Sequence, residues 1–283
     1  FSNQLQISNI TVTNSPSWHI HPIYCKNVII QWVTVLAPVL VPNTDGINPD
    51  SCTNIRIEDC FLQSGDDCIA VKSGWDQYGI KYGMPTKDLV VRRVTCISPD
   101  SATVALGSEM SGGIENVRIE DVTALNTQSA VRMKTTIGGG GYVRDIFVRK
   151  LRLYVYNQYY GFWMTSSYSQ HPDNGWDRNV LPNISRIYHD DIIATNVTIP
   201  ARIEGMKNNP FTDICISNVN MKLTAKQKKL FWNCTDVIGV ASNVTPKPCS
   251  AFTEKPNFKC QFPTDKLAIE TVQLKTCSTG GTP

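Results

Sequence analysis

Residues Asn54–Cys60 read NIRIEDC, and Asn116–Val122 read NVRIEDV. Each run opens on a polar residue, alternates apolar with charged or polar side chains, and closes on another apolar residue. The same block recurs as Gln4-LQISNI, Asn27-VIIQWV, Asp88-LVVRRV, Asp145-IFVRKL, Arg186-IYHDDI and Asp213-ICISNV. From first residue to first residue the steps are 23, 27, 34, 28, 29, 41 and 27. Self-similarity at 20–50 residues signals stacked coils. Period-two alternation rich in Ile and Val predicts strands. A second short strand follows most blocks, at Cys68-IAV, Thr103-VAL, Ala130-VRM, Gly161-FWM and Ala201-RIE. No segment carries sustained helical periodicity. The pattern predicts an all-β chain folded as a right-handed parallel β-helix, with neighbouring coils about 4.8 Å apart. The Leu and Asn ladder of a leucine-rich horseshoe is absent. A propeller would need hairpin turns within each blade.

The whole chain, 1–283, is expected to form one domain. The repeat core spans about 3–222, and a terminal cap with a loose, disulfide-held tail spans about 223–283. The two long steps carry insertions. Gly74–Pro85 is rich in Gly and aromatics, and 154–182 holds Tyr159, Tyr160, Trp163, Tyr168, His171 and Trp176. Insertions of this kind build the walls of a solenoid's binding face. Trp163 and Met164 are expected to pack inward and Tyr160 to face the cleft. His171 and His189 are expected in a loop and on the surface.

Composition narrows the class. Net charge is +3, and the densest basic spot, Lys226, Lys228 and Lys229, reads as a solvated face, so nucleic acid is not expected. No apolar run is long enough to span a membrane as a helix. The ten cysteines lack zinc-site CxxC pairs and read as disulfides formed in an oxidising compartment, the last four stapling the tail. Sequons begin at Asn9, Asn183, Asn196, Asn233 and Asn243, which favours a secreted glycoprotein. The chain opens on Phe1, inside a strand-like run, as a mature or truncated product would.

The chemistry lies in two turns, Asn43–Asp50 (NTDGINPD) and Gly65–Ala70 (GDDCIA). They stand about one coil apart, so Asp45, Asp66 and Asp67 would meet on one face. Two coils on, Arg132 and Lys134 stand at i and i+2 of one strand, on one side of it. Lys72 would face either cleft or solvent. Glu109 is a possible extra acid but reads first as structural, and Cys68 as bonded or packed. Carboxylates beside cations suit hydrolysis of a glycosidic bond between acidic sugars. One acid protonates the leaving oxygen, and carboxylate activates water. The cations would hold a uronic carboxylate.

At these residues the chain resembles the polygalacturonases, glycoside hydrolase family 28. The resemblance is carried by NTDG (Asn43–Gly46), GDDC (Gly65–Cys68) and RMK (Arg132–Lys134, usually RIK). GSEMSGG (Gly107–Gly113) is similar to the exo-acting and plant members. The resemblance implies the pectin-lyase-like solenoid and inverting hydrolysis of α-1,4-galacturonan. It implies Asp66 as proton donor, with Asp45 and Asp67 as the pair that positions and deprotonates water. Arg132, Lys134, Lys72 and Asn43 would bind substrate. It implies no metal and no cofactor. The expected partner is acidic polysaccharide in the extracellular cell wall, met by a monomer. Two departures stand out. The family's Gly-His-Gly triplet is replaced by Ser101-Ala102-Thr103, and Gly139 stands where relatives often carry Arg. Rival readings are a calcium-dependent pectate lyase using the three Asp, and a pectin-binding wall protein without activity.

Overall fold

The structure is a computed structural model that describes residues 1–154, 160–168, 170–225 and 232–276. It is a right-handed parallel β-helix. One wall is a ten-stranded parallel sheet. Its strands, in spatial order, are β1 (Gln6–Thr13), β2 (Lys26–Leu36), β3 (Thr53–Gln63), β5 (Thr86–Ile97), β7 (Ile114–Leu125), β9 (Tyr142–Tyr154), β11 (Asn183–Val197), β13 (Phe211–Leu223), β15 (Val237–Thr245) and β16 (Phe252–Glu254). The other is six-stranded: β4 (Ile69–Val71), β6 (Ala102–Gly107), β8 (Ser129–Lys134), β10 (Tyr160–Thr165), β12 (Ile199–Glu204) and β14 (Asn233–Thr235).

The ladder registers reproduce the sequence steps. Val28 faces Ile55, Ile55 faces Leu89, Leu89 faces Val117, and Ile146 faces Ile187. Each block is not one straight strand but two, joined at a corner. Asn54 and Asp59 in β3, Asn116 and Asp121 in β7, and Asp145 and Lys150 in β9 all have φ between 52° and 62°. Asn and Asp tolerate this left-handed conformation because their side chains hydrogen-bond locally. Neighbouring coils also share those bonds: Asn27 Nδ2 donates to Asn3 Oδ1 at 2.8 Å, and Asn116 Nδ2 to Asp88 Oδ1 at 2.7 Å.

Alternate residues of both walls fill the interior in stacked rows. Ile55, Leu89 and Val117 on one side face Ile69, Val104 and Val131 on the other, nearly all fully buried. Each such side chain contributes about 1.5–3 kcal/mol by leaving water. His189 belongs to this core, not to the surface. It is 2% exposed, its ring lies 4.8 Å from Phe162, and burial pushes the imidazole down to about 3, so it packs as a neutral ring. The cysteines divide. Cys68–Cys96, Cys215–Cys260 and Cys234–Cys249 are disulfides, whereas Cys25, Cys52 and Cys60 are buried thiols. Burial pushes Cys52 up to about 12 and Cys60 to about 11, so neither ionises readily. Cys277, Tyr159 and the Lys226–Lys229 spot lie outside the described residues.

Three expectations need correction. The repeat continues past Lys222, because β14 pairs with β12 and β15 with β13. The first insertion holds a short helix, α1 (Asp76–Tyr82). The tail is a strap rather than a loose end. It leaves β13 at the Cys215–Cys260 disulfide and runs back across the outside of the ten-stranded wall. Phe262 meets Phe147 on β9, and Asp265 pairs with Arg118 on β7. Glu270 pairs with Arg92 on β5, and the carbonyls of Ile269 and Val272 accept from Arg56 on β3 at 2.8 and 2.9 Å. Lys275 reaches Gln6 on β1.

Candidate active site

The first acid turn is held by close approach of two coils. Gly46 N–H donates to the carbonyl of Asp67, and Cys68 N–H to that of Ala102. Any side chain at Gly46 would strike the Cys68 carbonyl, and any at Gly65 the Val41 carbonyl. Each motif therefore carries glycine beside its acid, and the coils bring Asp45 and Asp67 into adjacent layers. One carboxylate oxygen from each of Asp45, Asp66 and Asp67 lies within 4.8 Å of the others.

The three acids differ in environment. Asp67 is 2% exposed. Its Oδ2 accepts from Lys134 Nζ at 2.5 Å, and its Oδ1 accepts from Ser101 Oγ at 2.5 Å and Ala102 N–H at 3.1 Å. Burial alone would raise its pKa, but the Lys134 ammonium and these donors outweigh burial and hold it below the usual range. Asp67 is thus a fixed anion. Asp45, 4% exposed, accepts on its Oδ2 from Asn48 Nδ2, at 3.0 Å, as its one side-chain donor among the described residues. Burial, then the charges of Asp67 and Asp66, push it up to about 7. Asp66 is the half-buried member. It accepts from the backbone N–H of Asn43 at 3.3 Å and of Asp67 at 2.9 Å.

The expected cations fall in two groups. Arg132 and Lys134 lie beside the acids, but Lys134 is buried against Asp67 and does not stand open to a ligand. Asp67 in turn keeps the lysine's pKa raised despite burial. Arg132 stacks at 3.6 Å on Trp163 and donates to the neutral Gln128 Oε1 at 3.1 Å. Burial lowers its pKa, and its Nε has no partner among the described residues. It is a largely desolvated guanidinium with no salt bridge among the described residues. Lys72 pairs with Glu109 at 2.6 Å and sits 4.4 Å over the Trp18 ring. Asn43 contributes its backbone rather than its side chain.

Trp163 faces outward, contrary to expectation, in register with Ala105, Arg132 and Arg202. Tyr160 lies against it, with ring centroids 4.2 Å apart and planes tilted by 34°. The run Phe162-Trp163-Met164 is apolar throughout, so alternation gave no sign of which side faces in. The insertions meet along one edge of the six-stranded wall. Asp76 pairs with His171 at 2.6 Å, Tyr78 donates to Asp173 at 2.6 Å, and Trp176 stacks on His171 at 3.9 Å. Tyr168 lies 5.5 Å from both Arg132 and Lys134.

The family histidine's place is taken by Ala102, whose backbone N–H serves Asp67. His19 approaches from the preceding coil without replacing it. Its Nδ1 faces the Asp45 carbonyl at 2.9 Å and its Nε2 accepts from Ser15 N–H at 3.2 Å, so both ring nitrogens are engaged. The Asp cluster offers the ligand types of a hard cation. Lys134 already places a positive charge on Asp67, at 2.5 Å from its Oδ2. The acids lie apart from a cavity of about 580 Å³, which sits between the strap and β11, β13 and β15 and is lined by Arg186, Tyr188 and Lys255 among others.

The model of glycosyl hydrolases family 28 matches residues 1–245. The chain belongs to this family. It is 57% identical over 283 residues to a probable polygalacturonase of Vitis vinifera, covering 99% of this chain and 57% of that protein. A polygalacturonase of Chamaecyparis obtusa is 29% identical over 233 residues, 80% of this chain and 42% of that one. Among solved structures, a hyperthermoactive exopolygalacturonase from Thermotoga maritima superposes with a TM-score of 0.71 at 30% identity, over 84% of this chain and 52% of that one. A polygalacturonase from Erwinia carotovora shares the fold, with a TM-score of 0.58 at 21% identity over 84% and 58% of the two chains. The chain spans about half the length of the curated relatives it matches.

Proposed function

We propose that this family 28 chain carries the hydrolytic site of a secreted, monomeric glycosidase that cleaves α-1,4 linkages of pectic galacturonan in the extracellular cell wall. The observation that carries the reading is the meeting of three carboxylates from two coils beside a desolvated guanidinium whose Nε has no partner among the described residues. Asp66, the half-buried acid, protonates the leaving oxygen. Asp67, kept anionic by Lys134, and Asp45 hold the water and take its proton. Lys134 is accordingly a positioning residue for Asp67, and Arg132 takes a uronic carboxylate. No described helix is long and apolar enough to cross a membrane. The sequons and three disulfides agree with an extracellular protein.

Reducing-sugar release from polygalacturonate tests the reading. Asp66→Asn is expected to lower turnover at least about a hundredfold. Equal background release by wild type and variant ends it. Inversion is expected from the family resemblance. Proton NMR at early times is expected to find the inverted anomer first. Initial retention would reassign one Asp as nucleophile.

A further inference from the structure

Gln128 stands at the bend just before β8. Its backbone is pinned from both neighbouring coils. The N–H donates to the carbonyls of Ser101 at 2.9 Å and Ser98 at 3.2 Å, and the carbonyl accepts from Tyr160 N–H at 3.0 Å. The side chain therefore starts from a fixed point, and its Oε1 accepts from Arg132 Nη1 at 3.1 Å. Arginine carries donors only, so the amide must turn its oxygen to the guanidinium. That oxygen is neutral. A buried guanidinium is ordinarily matched by a carboxylate, yet Arg132 enters no ion pair among the described residues. Asp67 and Asp66 favour its charge from a distance, and Asp67 is already paired with Lys134. An amide stands where the matching acid would.

We propose that Gln128 is a positioning residue that sets the charge selectivity of the site: it aims Arg132 without neutralising it and leaves the guanidinium for a ligand carboxylate. An acid at this position would close the ion pair inside the protein, and a ligand would have to compete for it. The amide fixes direction through one hydrogen bond and spares the charge. The Trp163 ring, 3.6 Å from the guanidinium, adds a flat face but no carboxylate. Preference for an ionised uronic sugar over its methyl ester then depends on a residue that acts through another. This inference rests on the reading of Arg132 as the carboxylate's partner, but not on bond cleavage.

Paired binding measurements test it. Trigalacturonate and its fully methyl-esterified form are titrated calorimetrically into the full 283-residue chain carrying Asp66→Asn, which spares the ligand. Gln128→Glu, nearly isosteric, is expected to weaken the acidic trimer about tenfold and the ester less than about twofold. Its melting temperature is expected to match or exceed the parent's, because the new carboxylate pairs a desolvated cation. Gln128→Met removes the acceptor but keeps the guanidinium's charge, and is expected to weaken the acidic trimer about threefold. Acidic-trimer affinity that Gln128→Glu leaves within about twofold overturns the proposal. So does an equal loss for the ester, or a loss in Gln128→Met as large as in Gln128→Glu. Lower melting with both ligands weakened together makes Gln128 a structural residue and overturns it too. Should the expected differences hold while the wild-type chain releases no sugar from polygalacturonate, the hydrolase reading falls and this one stands.

Discussion

Asp45 is the acid with the least help. Its carboxyl sits buried beside two other acids with one amide donor, and its pKa rises to about 7. The folded protein therefore binds a proton there that the unfolded chain releases near pH 4. The stability is fully present below that value and is lost as pH climbs through about 7. Asp45→Asn is expected to raise unfolding free energy by about 1–3 kcal/mol at pH 7 and to change little at pH 4. Activity should fall at least about a hundredfold. Denaturant titrations at both pH values check the first outcome and sugar release the second. A variant less stable at pH 7 would mean that the carboxylate is compensated by its neighbours. The three Asp were legible from sequence because they stand about one coil apart, and a coil converts that separation into contact. Lys134 was legible as a cation but not as the partner of Asp67. Its ammonium reaches sideways from β8 to the turn ahead of β4, and strand alternation says nothing about sideways reach. Trp163 was hidden by apolar neighbours, and His189 by flanking polar residues.

Strands and their spacing were read directly, since every insertion lengthens a step without shifting the ladder phase. The corners were not, although Asn or Asp stands at most of them. A residue that relaxes a left-handed turn leaves no mark on apolar alternation. The strap escaped for a different reason: it has no period of its own and borrows its order from coils already built. Cys215–Cys260 anchors it. Cys260→Ser is expected to lower stability by about 2–4 kcal/mol. It should also broaden the unfolding transition, because coils joined only to their nearest neighbours melt less cooperatively. Urea titration monitored by tryptophan fluorescence and circular dichroism reads both. An unchanged, equally sharp transition would assign the strap no tying role.

At the scale of the molecule, two long faces divide the work. The six-stranded wall presents acids, guanidiniums and rings in rows, and the ten-stranded wall carries the strap. The solenoid sets both, because a residue repeated once per coil becomes a line of residues in space. The order in which the strap meets its hosts has a consequence for biosynthesis. A ribosome releases β3 and β5 well before residues 269–272, yet Arg56 and Arg92 on those strands meet Ile269, Val272 and Glu270 only once the strap has emerged. The nascent coils can stack as they emerge, but the outer charges of β3 and β5 wait for the strap. Translation must pass the strap before these coils are sealed.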